Sequence, residues 1–269
     1  MKPRVSIIVT AYNEGDEIVP YLDRLLESVT LPCEVLVVYD SADDTTAPWV
    51  EKYARGDARV VPTLNTYGRG PARAIRFGFD HAQADVVVVT MADGCDDPMQ
   101  IDPLVRLVER GVVVAAASRY MRGGQQIGGP VVKSTLSRLA GLSLHLLTRV
   151  GTRDATNSFK AYSAAFVREV GIESDHGFEV GLELVSKARR RRLRVAELPT
   201  IWLERSFGQS NFHLRQWIPR YLRWYLHAFG ATPHRRLLAD PPSEAPALSA
   251  TRTDSPPPRR LTKKEGTEK

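Results

Sequence analysis

The sequence predicts an α/β domain built on a largely parallel sheet. Three observations carry that expectation. Short β-branched runs alternate with helical periodicities through residues 5–120. The runs are apolar on both faces, as strands covered by helices on either side must be. A cluster of polar residues follows each run, at the edge where open α/β sheets bind ligands.

In chain order, residues 5–11 form the first run, ending in Tyr12-Asn13-Glu14-Gly15, and Ile18, Leu22, Leu25 and Val29 then recur at helical spacing. A second strand over 34–39 ends in Asp40-Ser41-Ala42-Asp43-Asp44-Thr45. A helix over 47–54 and a third strand over 58–62 follow. After Gly68-Arg69-Gly70-Pro71 comes a helix whose small residues Ala72, Ala74 and Gly78 allow close packing. Val86 to Val89 make a fourth strand, too short and too β-branched for a helix. A helix over 100–109 and a fifth strand over 112–117 lead to Ser118-Arg119-Tyr120. The glycines of 123–130 read as a flexible loop, followed by a helix over 133–150. A short strand over 156–162 and helices over 164–170 and 178–190 come next. Residues 193–203 read as extended, with a break at Pro199. The domain closes on an amphipathic helix over 213–229, so its expected span is 1–230. The Pro-rich, basic segment 231–269 reads as disordered.

Composition excludes several classes. Residues 231–269 hold eight Lys and Arg against five Asp and Glu, so +3 of the net +6 lies there and +3 in the body. Neither part carries a nucleic-acid motif, and no nucleic-acid partner is expected. Two cysteines, Cys33 and Cys95, suggest neither a disulfide framework nor a zinc site. No apolar run approaches the roughly 20 residues that span a bilayer. The expected location is cytoplasmic.

The most informative stretch follows the valine strand: Met91-Ala92-Asp93-Gly94-Cys95-Asp96-Asp97-Pro98. Carboxylates clustered at the end of a buried strand are costly unless something neutralises them. A divalent cation carrying phosphates would do so, since hard cations prefer oxygen and keep open positions. The plainer reading is a solvated loop that caps the next helix, with Asp97-Pro98 as its turn. Asp40 and Asn13 have the same plain alternative as helix caps. Taken as a set on one sheet edge, they suit a nucleotide with something attached beyond its phosphates.

These motifs, together with Asp154-Ala155-Thr156-Asn157-Ser158-Phe159-Lys160-Ala161-Tyr162 and Glu204-Arg205-Ser206-Phe207-Gly208-Gln209-Ser210-Asn211, resemble those of the family 2 glycosyltransferases. Within that family the dolichol-phosphate mannosyltransferase-like group is the nearest pattern, and the resemblance spans residues 4–229. It implies a GT-A fold, a nucleotide-sugar donor, Mg2+ or Mn2+, and inverting transfer of a sugar, mannose from GDP-mannose among the options, to a polyprenyl phosphate. Carried over by position, Asn13 or Glu14, Asp40 and Arg69 face the donor and Asp93 holds the metal. The group has Asp-x-Asp where this chain has Met91-Ala92-Asp93, so Asp96 or Asp97 is expected to supply the second carboxylate. Tyr39 likewise stands where the group often has a first aspartate, and Lys160 where it often has arginine.

A phosphate acceptor is already an anionic nucleophile, so the enzyme must gather cations rather than supply a base. Arg119, Arg138, Lys160 and Arg205 are the candidates, with Arg119, Arg205 and Asp93 expected closest to the chemistry. A hydroxyl acceptor would instead need a base, with Glu183, Asp154 or Asp97 to test. Met91 also admits a third reading, a nucleotide-sugar-binding protein without activity. In the last helix Leu214, Trp217, Ile218, Tyr221, Leu222, Tyr225 and Phe229 share a stripe flanked by arginines. That pattern suits either packing on the domain or peripheral contact with anionic lipid.

Overall fold

The computed structural model describes residues 2–204 and 214–230. The expected segment 231–269, Arg205 and His213 lie outside the described residues.

The first half is a regular α/β alternation: β1 (Val5–Thr10), α1 (Ile18–Ser28), β2 (Cys33–Tyr39), α2 (Ala47–Ala54) and β3 (Val60–Leu64). It continues with α3 (Pro71–His81), β4 (Val86–Met91), α4 (Ile101–Glu109) and β5 (Val114–Ser118). The second half holds β6 (Gln125–Ile127), α5 (Val131–Ser143) running into a π-helical turn (Leu144–Thr148), β7 (Lys160–Ser163), α6 (Ala164–Val170) and α7 (Val180–Arg190). It ends with β8 (Val195–Pro199), β9 (Ile201–Leu203) and α8 (Leu214–Ala228).

Seven strands form one sheet in the order β3-β2-β1-β4-β7-β5-β8, and β6 pairs with β9 in a separate ribbon. Every main-sheet pairing is parallel except those of β7, which runs against both β4 and β5. Period-two alternation explains the two cores. Val86 and Val88 join Ile7, Val35 and α1 and α4 on one face, while Val87 and Val89 join Ile8, Leu36 and α3 and α7 on the other. Each buried valine of that run contributes on the order of 1.5–3 kcal/mol. Gly78 is needed where α3 crosses β1, because a Cβ there would lie 2.8 Å from Ile8 Cγ2.

Three expectations need correction. The glycine-rich stretch is not simply a loop, since Gln125–Ile127 is a strand paired with Ile201–Leu203. The seventh strand begins at Lys160 rather than 156, and residues 154–158 form an irregular loop instead. In α8 the proposed stripe divides. Trp224 and Ala228 are buried and Tyr221 and Tyr225 pack beside them, at i, i+3, i+4 and i+7, while Ile218, Leu222 and Phe229 stay exposed.

Candidate active site

The parallel ladder fixes the first part of the site. Thr10 pairs with Met91 on one side and Val38 on the other, so the loops after β1, β2 and β4 leave the sheet side by side. Here the strand order reverses, β1 leading to β2 on one side and β4 lying on the other. A cleft of about 1340 Å³ opens over this edge and runs on to α5 and α8.

At one end Glu14, Asp40, Arg69 and Asp93 all line the cleft. Asp40 is fixed by two contacts, accepting from Asn65 Nδ2 at 2.7 Å and from the Gly70 amide at 2.7 Å. Gly70 can serve because its φ of +122° suits glycine, and a Cβ would sit 2.8 Å from the His176 carbonyl oxygen. Glu14 is set by its amide, which donates to Thr46 Oγ1 at 3.0 Å. Asn13 does not line the cleft. It adopts φ +54°, donates its amide to Asp44 and accepts from the Thr45 amide, tying the first loop to the second.

The acidic loop turns at Gly94, φ +69°, and this separates its carboxylates. Asp93 lines the cleft and accepts from the Cys95 amide at 3.1 Å. Asp96 turns beneath β4 and accepts from Thr90 Oγ1 at 3.0 Å, off the cleft. Burial, and then the charge of Asp93, push the Asp96 carboxyl up to about 7. Asp97 accepts from the Met99 amide at 3.1 Å and caps the short 3-10 turn that follows. Among the described residues no three His, Cys, Asp or Glu side chains converge on one point. A cleft-lining carboxylate with a second one close behind fits a divalent cation shared with a ligand's phosphates, not a cage built wholly of protein.

The other end is cationic. Arg119 lines the cleft at the end of β5, and its Nε and Nη2 grip Asp154 at 2.7 and 2.9 Å. Burial opposes the guanidinium's charge, but fully buried Asp154 outweighs it and holds its pKa up. Ser137 of α5 bonds Tyr120 Oη at 3.2 Å and Thr156 Oγ1 at 2.6 Å, so α5, the strand end and loop 154–158 form one network. Gly141 lets α5 press directly onto the Arg153 carbonyl. Lys160 is fully buried and does not line the cleft. Its ammonium donates to the carbonyls of Ala155 and Asn157, under the loop that presents Thr156, Asn157 and Ser158 to the cleft. Arg138 is exposed on α5, outside the cleft lining.

The carboxylates considered as bases are already engaged. Asp154 belongs to Arg119. Fully buried Glu183 accepts from the amides of Glu173 and Ser174 and from Lys187 Nζ at 2.6 Å. Asp97 is a cap. Lys133, in the first turn of α5, was not singled out from the sequence. It lines the cleft and is still exposed to solvent; partial desolvation by the cleft walls and then the charge of Arg119 lower its pKa, with Asp93 opposing. A cation at a helix N-terminus works against the macrodipole, which is the signal that marks it. Trp202 and Glu204 of the β6–β9 ribbon also line the cleft, and Leu203 donates its amide to the Cys95 carbonyl at 3.1 Å, joining ribbon to acidic loop.

Comparison with known proteins agrees with this arrangement. The model of the family described as glycosyl transferase family 2 matches residues 6–171. The chain is 27% identical over 216 residues to an undecaprenyl-phosphate mannosyltransferase of Micrococcus luteus, covering 77% of this chain and 87% of that protein. It is 26% identical over 214 residues to a polyprenol monophosphomannose synthase of Mycolicibacterium smegmatis, covering 77% and 80%. Glucosyl-3-phosphoglycerate synthase of Mycobacterium tuberculosis, solved with Mn2+, uridine-diphosphate and glucosyl-3-phosphoglycerate, has a similar fold. Its TM-score is 0.59 at 19% identity, over 86% of this chain and 82% of that one. A mannosyltransferase of Pyrobaculum calidifontis, solved with GDP-Man and Mn2+, gives 0.57 at 20% identity, over 86% and 64%. The family model covers more than half of the chain and the neighbours share its sheet and flanking helices, so the protein belongs to glycosyl transferase family 2 and has the GT-A fold.

Proposed function

We propose that the protein transfers a sugar, mannose from GDP-mannose as the leading choice, from a nucleotide-sugar donor to a polyprenyl phosphate at the cytoplasmic face of a membrane. The observation that carries this reading is the pair of cations, Arg119 and Lys133, lining the cleft beside Asp93 while Asp154 and Glu183 are held by cations of the protein. Such a site suits an acceptor that brings its own negative charge. The names of the two curated relatives point to the same acceptor class.

Glu14, Asp40 and Arg69 hold the nucleoside end, with Asp40 presented by Asn65 and Gly70. Mg2+ or Mn2+ would be held by Asp93 together with the donor's diphosphate, with Asp96 behind it, and when bound would neutralise charge building on the leaving diphosphate. Arg119 and Lys133 bring the acceptor phosphate to the sugar against the repulsion of two anions. An acceptor oxygen forms the new bond to the anomeric carbon from the face opposite the diphosphate. The old bond breaks with its electron pair leaving on the nucleoside diphosphate, so the configuration inverts. No proton needs to move to a protein base.

GDP-mannose and UDP-glucose, each offered with undecaprenyl phosphate and Mn2+, test the reading. Organic-extractable, mild-acid-labile sugar is the expected product. Transfer only to soluble hydroxyl acceptors, or nucleotide binding without any transfer, would overturn it.

A further inference from the structure

A second cavity, of about 240 Å³, lies between α3 and α6 and shares no lining residue with the cleft. Arg76 and Asp80 of α3 line it together with Arg168 of α6, and all three are exposed. Phe79, Val167 and Ile172 supply its apolar walls. Arg76 and Asp80 stand at i and i+4, a spacing that suits an ion pair. Asp80 instead accepts from Tyr67 Oη at 3.0 Å, and the Arg76 guanidinium lies over the Tyr67 ring, 5.6 Å from its centroid. Arg168 has no ion pair among the described residues, and the neighbouring Glu169 is taken by Arg191.

Two guanidiniums against one carboxylate leave the cavity cationic, and guanidiniums match phosphate oxygens in geometry as well as charge. The apolar walls suit a short organic part attached to that phosphate. The volume falls below the roughly 300–1,000 Å³ of sites for drug-sized ligands, so the occupant is small. Both walls lead to Asp40. On the α3 side Tyr67 donates its amide to Asn65 Oδ1 at 2.9 Å, and Asn65 Nδ2 donates to Asp40. On the α6 side the chain runs from Ile172 to His176, whose carbonyl lies against Gly70, and the Gly70 amide donates to Asp40. That second route is stiff. Lys187 Nζ holds the carbonyls of Val170 and Gly171 at 3.2 and 2.9 Å, and Glu183 holds the amides of Glu173 and Ser174.

We infer that the cavity between α3 and α6 is a second ligand site, taking a small phosphate monoester whose binding tightens the donor nucleotide's. The phosphate sits between Arg76 and Arg168, and the organic part lies on Phe79, Val167 and Ile172. Asp80, already accepting from Tyr67, has acceptor capacity left for a hydroxyl of the ligand. A ligand bridging the two helices holds both walls in the arrangement that presents Asp40, so ligand and nucleotide favour one another, and reciprocally. The effect on the nucleotide rests on the assignment of Asp40 to the donor proposed above; the binding itself does not.

Calorimetric titration of the full chain with glycerol 3-phosphate, in wild type and in Arg168→Glu, tests the site. Arg168 is exposed and outside the cleft lining, so the variant should keep the wild-type melting temperature and its turnover without the monoester. It should bind glycerol 3-phosphate about tenfold more weakly, and Arg168→Gln should fall in between. Inorganic phosphate, which leaves the apolar walls unused, should bind wild type more weakly than the monoester. Phosphatidic acid vesicles, which carry the same monoester on a lipid, should not compete. With glycerol 3-phosphate present, GDP with Mn2+ should bind wild type about fivefold more tightly, and Arg168→Glu should lack that gain. Equal monoester binding by wild type and Arg168→Glu would place it in the main cleft and overturn the proposal, as would no binding at all. Phosphate binding as tightly, or competition by the vesicles, would overturn the assignment of a small monoester. GDP affinity indifferent to a monoester bound through Arg168 would overturn the coupling. A chain that binds the monoester through Arg168 but binds no GDP would sink the donor reading and leave the second site standing.

Discussion

The end of the cleft we assign to the donor is assembled from the carboxyl ends of parallel strands held in register, whereas the end we assign to the acceptor is assembled from a loop, a strand end and two helices. At the donor end the backbone ladder sets each position, and Asp93 and Glu14 hang from loops that β1 and β4 already place. At the acceptor end side chains set the positions of one another: Arg119 holds Asp154, Ser137 holds Thr156, and Lys160 holds the carbonyls beneath them. A donor-side substitution should therefore remove chemistry and leave the fold intact, while an acceptor-side substitution should do both kinds of damage.

The largest expected effect is that of Asp93→Ala, which should lower turnover by about a thousandfold at saturating Mn2+ while the melting temperature stays put. A large fall in melting temperature would break the contrast. Arg119→Ala should cost turnover and also about 3 kcal/mol of stability, because it strands fully buried Asp154 without its partner. Urea unfolding reads the second loss, and an unchanged midpoint would show that the acceptor network does not carry the fold.

Gly70→Ala is the exception at the donor end, because it disturbs a backbone position that suits glycine rather than removing a functional side chain. With φ +122° and the His176 carbonyl in the way, it should cost roughly 2 kcal/mol and weaken nucleotide binding, measured by calorimetry with GDP.

A smaller effect concerns pH. Burial lowers the Lys160 ammonium from 10.5 to about 7, with Asp154 and Asp96 raising it and Arg119 lowering it. Between these values the unfolded chain binds the proton and the folded one does not. Stability therefore rises with pH across that window, by up to about 1.4 kcal/mol per unit, and the full cost is present below it. Lys160→Met should lack that rise when urea midpoints at about pH 7 and about pH 9 are compared with wild type. Least of all, Asp97→Ala should cost about 1 kcal/mol as a lost cap and leave turnover unchanged. Lost activity with intact folding would return Asp97 to the site.

The same contrast governs what could be read from the sequence. In the donor half, local periodicity and strand burial coincide, so the helix over Ala47–Ala54 and the valine strand stand where the pattern places them. In the acceptor half the decisive contacts are long-range. Gln125–Ile127 becomes a strand only because Ile201–Leu203 comes alongside, and no local pattern announces that partner. Lys160 reads as a cation available to phosphate, but β7 points it into the protein. Asp93 and Asp96 look equivalent until the turn at Gly94 sends one to the cleft and the other beneath the strand. A helix is legible after the glycine-rich stretch, but the sequence does not tell that its Val132, Leu136 and Leu139 stay exposed.

One strand of the main sheet runs backwards, and that reversal decides where the protein can be altered. Because β7 opposes β4 and β5, the loop before it rises to the cleft while the connections entering β4 and β5 stay at the opposite edge. The connection between α4 and β5 is such a place, and a Cβ at Gly111 would meet nothing within 4 Å. An affinity tag or fluorophore inserted at residues 110–113 would sit at the end of the sheet remote from sugar transfer, giving a handle for following the enzyme without blocking its cleft.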